Sequence, residues 1–330
     1  MRFVSRMRLG FVAAVVVGAG APWLWAQPGA GGPPRKITIG LVAKSQSNPV
    51  FQAAYAGARD AARELGPKFG VEVAIDWQTP PDEDAQKQAE AIEQLARAGA
   101  QGIAVSCSDA NTVTPAIDKA VELGSLVMCF DSDAPRSKRM CYYGTDDEVC
   151  GRKVMAELAQ AMDRKGTIAI LAGNQTAPNL QKRVAAVKDE LKKHPQMTLL
   201  PDGVFYHAET PEQSVEAVNA AQSTHPQIAG WAMVGGWPLF TKNALRWRPG
   251  EVKVVAVDAL PAQLSYLESG HVHALYAQDC YGWGFKSVEI LLGKIVKNQP
   301  PHNERMIDDL TKVTQANAAE FRRKWDQWLK

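Results

Sequence analysis

From Lys36 onward, short apolar segments alternate with longer amphipathic segments along almost the whole chain. Residues 102–107 and 126–131 have the length and composition of buried strands, whereas residues 51–65 repeat apolar side chains at helical spacing. This alternation predicts parallel sheets joined by right-handed crossover helices. The pattern contains about ten strands, more than one small sheet holds, so we expect an α/β fold of two doubly wound lobes.

The first strand and the loop after it carry the clearest functional signal. Residues 37–43 are apolar and residues 44–47 are polar. Asn48 and Pro49 are residue types typical of the first positions of a helix. Ligands of doubly wound sheets bind at the carboxyl ends of the strands. Because this loop lacks the glycines of a phosphate-binding loop, we expect a ligand held by side chains.

Composition and motifs argue against several functional classes. The chain has 330 residues, of which 46% are hydrophobic and 22% are charged, and its net charge is +2. This near-neutral balance gives no electrostatic support for binding nucleic acid or an acidic membrane surface. We find no dinucleotide fingerprint, no P-loop, no nucleophile elbow and no histidine beside a nucleophile at a strand end. We therefore expect no cofactor and no enzymatic activity.

The amino-terminal residues have the layout of a signal peptide. Three arginines precede the apolar residues 9–21, a segment too short to span a bilayer comfortably. We expect a signal peptide over residues 1–26, a flexible linker over residues 27–35, and a protein exported to the periplasm. An uncleaved membrane anchor is the alternative interpretation.

Five cysteines allow, but do not require, disulfides in an exported protein. The number is odd, so at least one thiol stays unpaired within a chain. Cys107 with Cys129 and Cys141 with Cys150 are the candidate pairs, and buried free thiols are the alternative. No Cys/His cluster predicts a zinc site.

Polar side chains gather where the predicted strands end. If the sheets are parallel, these groups meet in one cleft, where carboxylates and amides suit vicinal hydroxyls. Aromatic rings beside them suit the apolar face of a pyranose. This chemistry predicts a site for a neutral sugar or polyol. The candidates from this reasoning are Lys44, Asn48, Phe51, Ser106, Asp131, Ser132, Trp237, Asp258 and Gln278.

Each candidate also has a structural interpretation. Asp131 and Asp258 could cap the helices that follow them. Lys44 could be a solvated loop lysine, and Trp237 and Trp283 could pack in the core or at a hinge.

Residues 37–51, 102–135 and 254–284 together resemble type I periplasmic sugar-binding proteins. The resemblance extends over residues 36–330, with the middle third weaker. The strings DSDAP and YYGTDD are most similar to the bacterial glucose-binding subgroup. The family also includes the effector-binding cores of repressors, which carry an amino-terminal helix-turn-helix. The predicted signal peptide in that place argues against a DNA-binding role.

The resemblance implies a periplasmic-binding-protein-like type I fold, with the two lobes joined by three hinge strands. It implies an amino-terminal lobe of residues 36–144 plus 279–306 and a carboxyl-terminal lobe of residues 145–278 plus 307–330. It also implies capture of a monosaccharide or related polyol, delivered to an ABC-type permease in the inner membrane by a protein that we expect to be a monomer. A sugar-sensing input protein for a membrane receptor or chemoreceptor is the first alternative, and an exported α/β enzyme is the second.

The resemblance also implies roles for individual residues. Arg183 matches the arginine of the second lobe, and Asn179 lies one helical turn before it. The other matches are Asn48 and Phe51 on the first helix, Asp131 and Asp258 in the two lobes, and Gln278 at a hinge.

Two positions depart from the family pattern, and both bear on which sugar is bound. Ser132 stands where the family often has arginine, so a bidentate donor is missing. Gly235-Gly236-Trp237 stands where an asparagine and an aspartate are usual.

Overall fold

The computed structural model describes residues 34–328, in which strands and helices alternate as the sequence predicts. The predicted signal peptide and most of the predicted linker lie outside these residues. The strands are β1 Arg35–Val42, β2 Val71–Trp77, β3 Gly102–Val105, β4 Leu126–Phe130, β5 Tyr142–Gly144, β6 Gly166–Gly173, β7 Met197–Tyr206, β8 Ile228–Met233, β9 Lys253–Val257, β10 Ala274–Ala277, β11 Arg305–Ile307 and β12 Thr311–Val313. The helices are α1 Pro49–Phe69, α2 Ala85–Arg97, α3 Ala110–Glu122, α4 Asp147–Ala161, α5 Pro178–Leu191, α6 Pro211–Thr224, α7 Pro261–Glu268, α8 Cys280–Lys297 and α9 Ala318–Trp328, with a short 3-10 helix over Trp237–Phe240.

The strands form two six-stranded sheets with the same order. The first sheet runs β2-β1-β3-β4-β5-β11, and the second runs β7-β6-β8-β9-β10-β12. All neighbouring strands are parallel except β10 and β12, which pair antiparallel. Each sheet with its helices makes one lobe, so the predicted fold of two doubly wound lobes is confirmed.

The chain passes between the lobes at three points. After β5 it enters α4, which packs against β8 and β9 of the second sheet. After β10 it enters α8, which packs against α1 of the first lobe. Between β11 and β12 it crosses a third time. We propose the lobe boundaries at these crossings, with residues 36–144 and 279–307 in one lobe and residues 145–278 and 308–330 in the other. The boundary predicted after residue 306 moves by one residue, because Ile307 pairs with Gly144 in the first sheet.

Two glycines let α1 and α8 pack backbone to backbone in the first lobe. A Cβ on Gly57 would lie 2.0 Å from the carbonyl oxygen of Tyr281, and one on Gly284 would lie 1.7 Å from that of Ala54. Any side chain at either position would therefore push the helices apart. This contact fixes α1 against α8 within the first lobe.

The central strands are buried on both faces, as parallel strands between two helical layers require. All four residues of β3 and the last four of β4 are buried. At the carboxyl end of this sheet, Gln88 of α2 donates Nε2 to the carbonyls of Ala43 and Ser106, both at 2.8 Å. This buried amide joins the ends of β1 and β3 and so positions the loops that follow them.

All five cysteines lie in the described part of the chain, and each is a buried free thiol. The sulfur atoms of Cys107 and Cys129 are 3.9 Å apart, well beyond the roughly 2.05 Å of a disulfide. Neither candidate disulfide is therefore formed in this structure, which agrees with the alternative of buried thiols.

Between residues 34 and 328, no helix combines the length and apolar character needed to cross a membrane. Within the same residues, no group of three or more His, Cys, Asp or Glu side chains is arranged to hold a metal ion.

Candidate functional site

The carboxyl ends of the two sheets face each other, and side chains bond across the cleft between them. Asn179 of α5 in the second lobe donates Nδ2 to Asp131 Oδ1 of the first lobe at 3.3 Å. The same amide accepts a bond from Lys44 Nζ at 3.3 Å. Residues from distant parts of the sequence therefore meet in one buried polar cluster.

Asp131 provides the first lobe's central carboxylate. It directly follows β4 with a φ of 54°, a left-handed conformation that aspartate tolerates better than most residues. Ser106 at the end of β3 donates its hydroxyl to Asp131 Oδ2 at 2.7 Å. Burial raises the pKa of Asp131, although Lys44 and Arg183 oppose the shift. The carboxylate is thus desolvated and oriented toward the second lobe.

Lys44 is buried rather than solvated, with only 2% of its surface exposed. Its ammonium bonds Glu209 Oε1 of the second lobe at 3.3 Å. Burial lowers the pKa of Lys44, but the negative charges of Glu209, Glu83 and Asp131 outweigh that effect, so the pKa is raised overall. Lys44 is therefore a charged group inside the cleft, and the solvated interpretation is wrong.

Arg183 organises the second lobe's half of the cleft from the buried face of α5. Its Nε donates to Asp147 Oδ1 at 2.9 Å, and its Nη1 donates to the carbonyl of Val234 at 3.1 Å. Its Nη2 donates to Gln278 Oε1 at 2.7 Å. Gly151 brings α4 close to α5, because a Cβ there would lie 2.3 Å from the carbonyl oxygen of Arg183.

Asp258 occupies the position in the second lobe that Asp131 occupies in the first. It follows β9 with a φ of 69°, and its Oδ1 accepts from Gln278 Nε2 at 2.8 Å. Burial raises the pKa of Asp258 to about 6, against the opposing effects of Gln278 and Arg183. Burial likewise raises the pKa of Asp147 to about 6, although it pairs with Arg183. Two aspartates with unusual backbone conformations at matching strand ends are typical of a functional site.

Helix capping distinguishes Asn48 from the two aspartates among the candidate site residues. Among the described helices, neither Asp131 nor Asp258 is an N-cap, since α7 begins after Leu260 and no helix starts beside Asp131. The capping interpretation of these aspartates is therefore wrong. Asn48, in contrast, caps α1, because its Oδ1 accepts from the Val50 amide at 3.2 Å.

The aromatic candidates lie in packed surroundings. Phe51 and Phe130 both contact Trp283 of α8, with ring centroids 6.2 and 6.3 Å apart respectively. Trp237 packs over Gly173 and Gly235 at the ends of β6 and β8, where any Cβ would clash with its ring. His207 meets Trp237 edge-on at 4.9 Å. Trp283 packs in the core of the first lobe, and Trp237 is buried at the strand ends of the second lobe, where its role as a ligand contact stays a prediction.

Ser132 is fully buried beside Asp131. Its backbone carbonyl accepts from the amide of Cys107 at 3.0 Å. Within residues 34–328, its hydroxyl has no hydrogen-bond partner. An unpaired buried hydroxyl costs stability and so marks a position where a bound ligand could supply the missing bond.

The structure joins most predicted site residues into two hydrogen-bonded groups. The first group is Ser106, Asp131, Asn179 and Lys44, and the second is Arg183, Gln278 and Asp258. Arg183 also affects the pKa of both Asp131 and Asp258, so the two groups share one electrostatic environment. Asn48, Phe51, Ser132 and Trp237 lie at the same strand ends without joining either group.

Sequence reasoning missed three polar residues of the cleft. Glu209 pairs with Lys44, and Glu83 accepts from Asn174 Nδ2 at 3.1 Å. Asp147, the first residue of α4, pairs with Arg183. Glu83 follows β2 and Glu209 follows β7, so both could have been found had every strand end been collected.

The comparison with known families decides what kind of protein this is. A family model described as periplasmic binding protein domain matches residues 39–299. The chain belongs to the periplasmic binding protein family. Its relatives include the D-ribose/D-allose-binding protein of Pseudomonas aeruginosa, 25% identical over 316 residues that cover 92% of this chain and 96% of the relative. The L-arabinose-binding periplasmic protein of Escherichia coli is 21% identical, over 86% of this chain and 89% of the relative.

Solved structures agree with this assignment. This periplasmic binding protein superposes on an ABC transporter solute-binding protein of Burkholderia graminis, in complex with D-arabinose, with a TM-score of 0.79 and 26% identity. The match covers 86% of this chain and 97% of that chain. A glucose-galactose binding protein of Geobacillus stearothermophilus, at 22% identity and a TM-score of 0.76, shares the fold.

The predicted family and the predicted solute-binding rather than enzymatic role are therefore confirmed, since the family consists of binding proteins. The closer similarity to the glucose-binding subgroup stays a prediction.

Proposed function

We propose that this periplasmic binding protein captures a monosaccharide, or a closely related polyol, between its lobes and delivers it unchanged to an ABC-type importer. One observation carries the proposal. Asp131 and Asp258, at equivalent strand ends of the two lobes, both carry buried carboxylates in left-handed backbone, with planar amides beside them. Such pairs of acceptors and donors suit the vicinal hydroxyls of a sugar.

The proposed ligand contacts divide by chemistry. Asp131, Arg183 and Asp258 supply charge-assisted hydrogen bonds, which are stronger than neutral ones. Amides, hydroxyls and one ammonium complete the polar shell, and two rings supply apolar surface. The full proposed set is Lys44, Asn48, Phe51, Ser106, Asp131, Ser132, Asn179, Arg183, Trp237, Asp258 and Gln278.

The relatives support a sugar with five or six carbons. The Pseudomonas and Escherichia relatives are named for D-ribose, D-allose and L-arabinose, and the Burkholderia structure holds D-arabinose. The glycines at 235 and 236 and the serine at 132 change the polar groups offered here, so the preferred sugar need not be any of these.

Location and partners follow from the same proposal. A signal peptide over residues 1–26 directs the protein to the periplasm, where it works as a monomer and docks on an inner-membrane permease. Closure of the lobes links sugar occupancy to recognition by that permease. A chemoreceptor or sensor protein is the alternative partner, and a gene for a permease or for a receptor kinase beside this one would discriminate the two.

Titration calorimetry against a panel of pentoses, hexoses and polyols tests the proposal. We expect at least one monosaccharide to bind with one site per chain and to be recovered chemically unchanged. If no sugar or polyol binds, or if a bound sugar is turned over, the proposal is wrong.

The Asp258→Ala variant tests the site. A hydrogen bond to a buried charge contributes about 1.5–3 kcal/mol, so we expect the affinity to fall by more than about tenfold. Asp109→Ala is a matched control, because Asp109 also follows a strand but only caps α3 through the Thr112 amide at 2.8 Å. Unchanged affinity in Asp258→Ala, measured by calorimetry, would count against this site.

A further inference from the structure

We infer that Glu83, Glu209 and Asn174 act with Lys44 as a latch between the lobes, which sets how tightly the cleft closes and takes up a proton when it does. The inference rests on the proposed function, because the latch acts on closure around the sugar. Glu83, Glu209 and Asn174 are positioning residues in this scheme, since they hold the lobes together rather than the ligand.

The geometry of the latch is a set of bonds that each join one lobe to the other. Lys44 follows β1 in the first lobe, and it reaches Glu209 and Asn179 of the second lobe, each at 3.3 Å. Glu83, which precedes α2 in the first lobe, accepts from Asn174 of the second lobe at 3.1 Å. Opening the cleft would break all of these bonds at once, so they stabilise only the closed arrangement.

The two glutamates occupy equivalent places in the two lobes. Glu83 lies beyond β2, and Glu209 lies beyond β7, the corresponding edge strand of the second sheet. Closure pairs the Glu209 carboxyl group with the Lys44 ammonium, and the negative charge of Glu83 also acts on that ammonium. The charges of this trio balance only if one carboxyl group keeps its proton, since an unpaired buried charge is costly.

The electrostatics indicate which group is protonated. Burial, and then the negative charge of Glu209, raise the pKa of Glu83 to about 8, although Lys44 opposes the shift. Two other titratable groups face the latch. Asp131 faces Lys44, and His207 faces Glu209 with a pKa that burial lowers, so His207 is neutral at pH 7. Glu83 is therefore the group that carries the proton in the closed form near neutral pH.

The sign of the pH effect follows by linkage. In the open form Glu83 loses Glu209 and Asn174 as neighbours, and its pKa returns toward the ordinary value of about 4.3. The closed form then binds more protons than the open form between roughly pH 4.3 and pH 8, so sugar affinity falls as the pH rises through this window. Closure at pH 7 is therefore accompanied by proton uptake.

The first experiment measures that proton. Calorimetry with a sugar that binds in the panel, at pH 7 in buffers of different ionisation enthalpy, reports the protons taken up on binding. We expect clear proton uptake for the wild-type protein and nearly none for Glu83→Gln. The affinity of Glu83→Gln should also stay constant from pH 7 to pH 9, whereas that of the wild type falls several-fold. Glu93→Gln is the control, since Glu93 pairs only with exposed Arg97 on α2. Equal proton uptake in Glu83→Gln and the wild type would overturn the inference.

The second experiment separates a latch from a ligand contact. Glu83→Gln with Glu209→Gln removes the carboxylate that pairs with Lys44 and the carboxyl group that accepts from Asn174. We expect about tenfold weaker binding of every sugar that binds, by the same factor. A residue that touches the sugar would instead change the ratio between two sugars differing at one hydroxyl, and that result would overturn the latch.

Small-angle X-ray scattering without sugar tests the latch independently of the proposed function. We expect the double variant to have a larger radius of gyration than the wild type in small-angle X-ray scattering without sugar. If no sugar binds the wild-type protein, the proposed function fails. An unchanged radius in the double variant at pH 7 would then overturn the latch as well.

Discussion

The two lobes share one strand order, yet they build their halves of the cleft in different ways. In the second lobe, Arg183 is paired within the lobe and at the hinge, since it bonds Asp147, Val234 and Gln278. In the first lobe, Lys44 bonds Glu209 and Asp131 bonds Asn179, both across the cleft. The central cation of the second lobe thus keeps its partners when the cleft is open, whereas that of the first lobe gains its partners only when the cleft closes.

This difference has a consequence for binding. A half-site whose side chains are already fixed loses little conformational entropy when a ligand arrives. We therefore expect the sugar to engage the second lobe first, and the first lobe to close over it. The order of events follows from where each lobe finds its hydrogen-bond partners.

Arg183→Met should give the largest effect. It removes the only cation bonded to Asp147 within residues 34–328 and breaks the bond to Gln278. Removing one partner of a buried ion pair typically costs about 3–5 kcal/mol, so we expect the unfolding free energy measured by urea titration to fall by that amount. We also expect no measurable sugar binding.

Lys44→Met is the matched variant in the first lobe. Lys44 bonds Asn179 and Glu209 across the cleft, so water can solvate the unpaired Glu209 carboxylate when the cleft opens. We expect a smaller loss of stability than in Arg183→Met, with the effect falling on closure and affinity. Equal losses of stability in the two variants would contradict the comparison between the lobes.

The next-largest expected effect is a change of stability with pH that arises from Asp258. The folded pKa of Asp258 is about 6, above its ordinary value of 3.8, so the folded state binds more protons between these values and stability falls as the pH rises from about 4 to 6. Asp258→Asn cannot titrate. We therefore expect it to exceed the wild type in unfolding free energy by about 3 kcal/mol at pH 7.5, and by much less at pH 4.

Thermal or urea unfolding of both proteins at the two pH values would check this. A variant less stable than the wild type at pH 7.5 would show that Asp258 stabilises the second lobe instead of serving the ligand.

Gly173→Ala should give the smallest difference from its matched control, and it probes how the second lobe holds Trp237. Gly173 has a φ of 68°, and a Cβ there would lie 2.6 Å from the Trp237 ring. Gly250→Ala is the control, since Gly250 has a φ of 77° with nothing within 4 Å of the added Cβ. We expect the control to lose about 1 kcal/mol from backbone strain alone, and Gly173→Ala to lose about 1–3 kcal/mol more. Equal melting temperatures for the two variants would show that the ring moves aside freely.

Much of the fold could be predicted because its signals are local. The apolar residues of β3 and β4, and the helical spacing of α1, specify buried parallel strands and their crossover helices without any knowledge of distant contacts. Asp131 and Asp258 were found by the same logic, since they directly follow such strands.

Other parts of the site carry no local signal. The segments around Glu83 and Glu209 are as polar as an ordinary surface loop. Nothing in the sequence next to Lys44 distinguishes it from a solvated loop lysine. Their burial depends on the closeness of the opposite lobe. Arg183 lies within a helix, and only the family resemblance, not its spacing, indicated that it faces the cleft.

The sequence by itself determined the alternation of strands and helices, the two lobes and the aspartates at the strand ends, because hydrophobic periodicity and strand termini are properties of neighbouring residues. The tertiary structure alone decided which side chains meet across the cleft. Lys44 becomes a buried ion, Glu83 gains a raised pKa and Asp131 finds Asn179 only because folding brings the carboxyl ends of two separate sheets together. Charges and hydrogen bonds act over a few ångströms in space, whatever the separation of the residues along the chain.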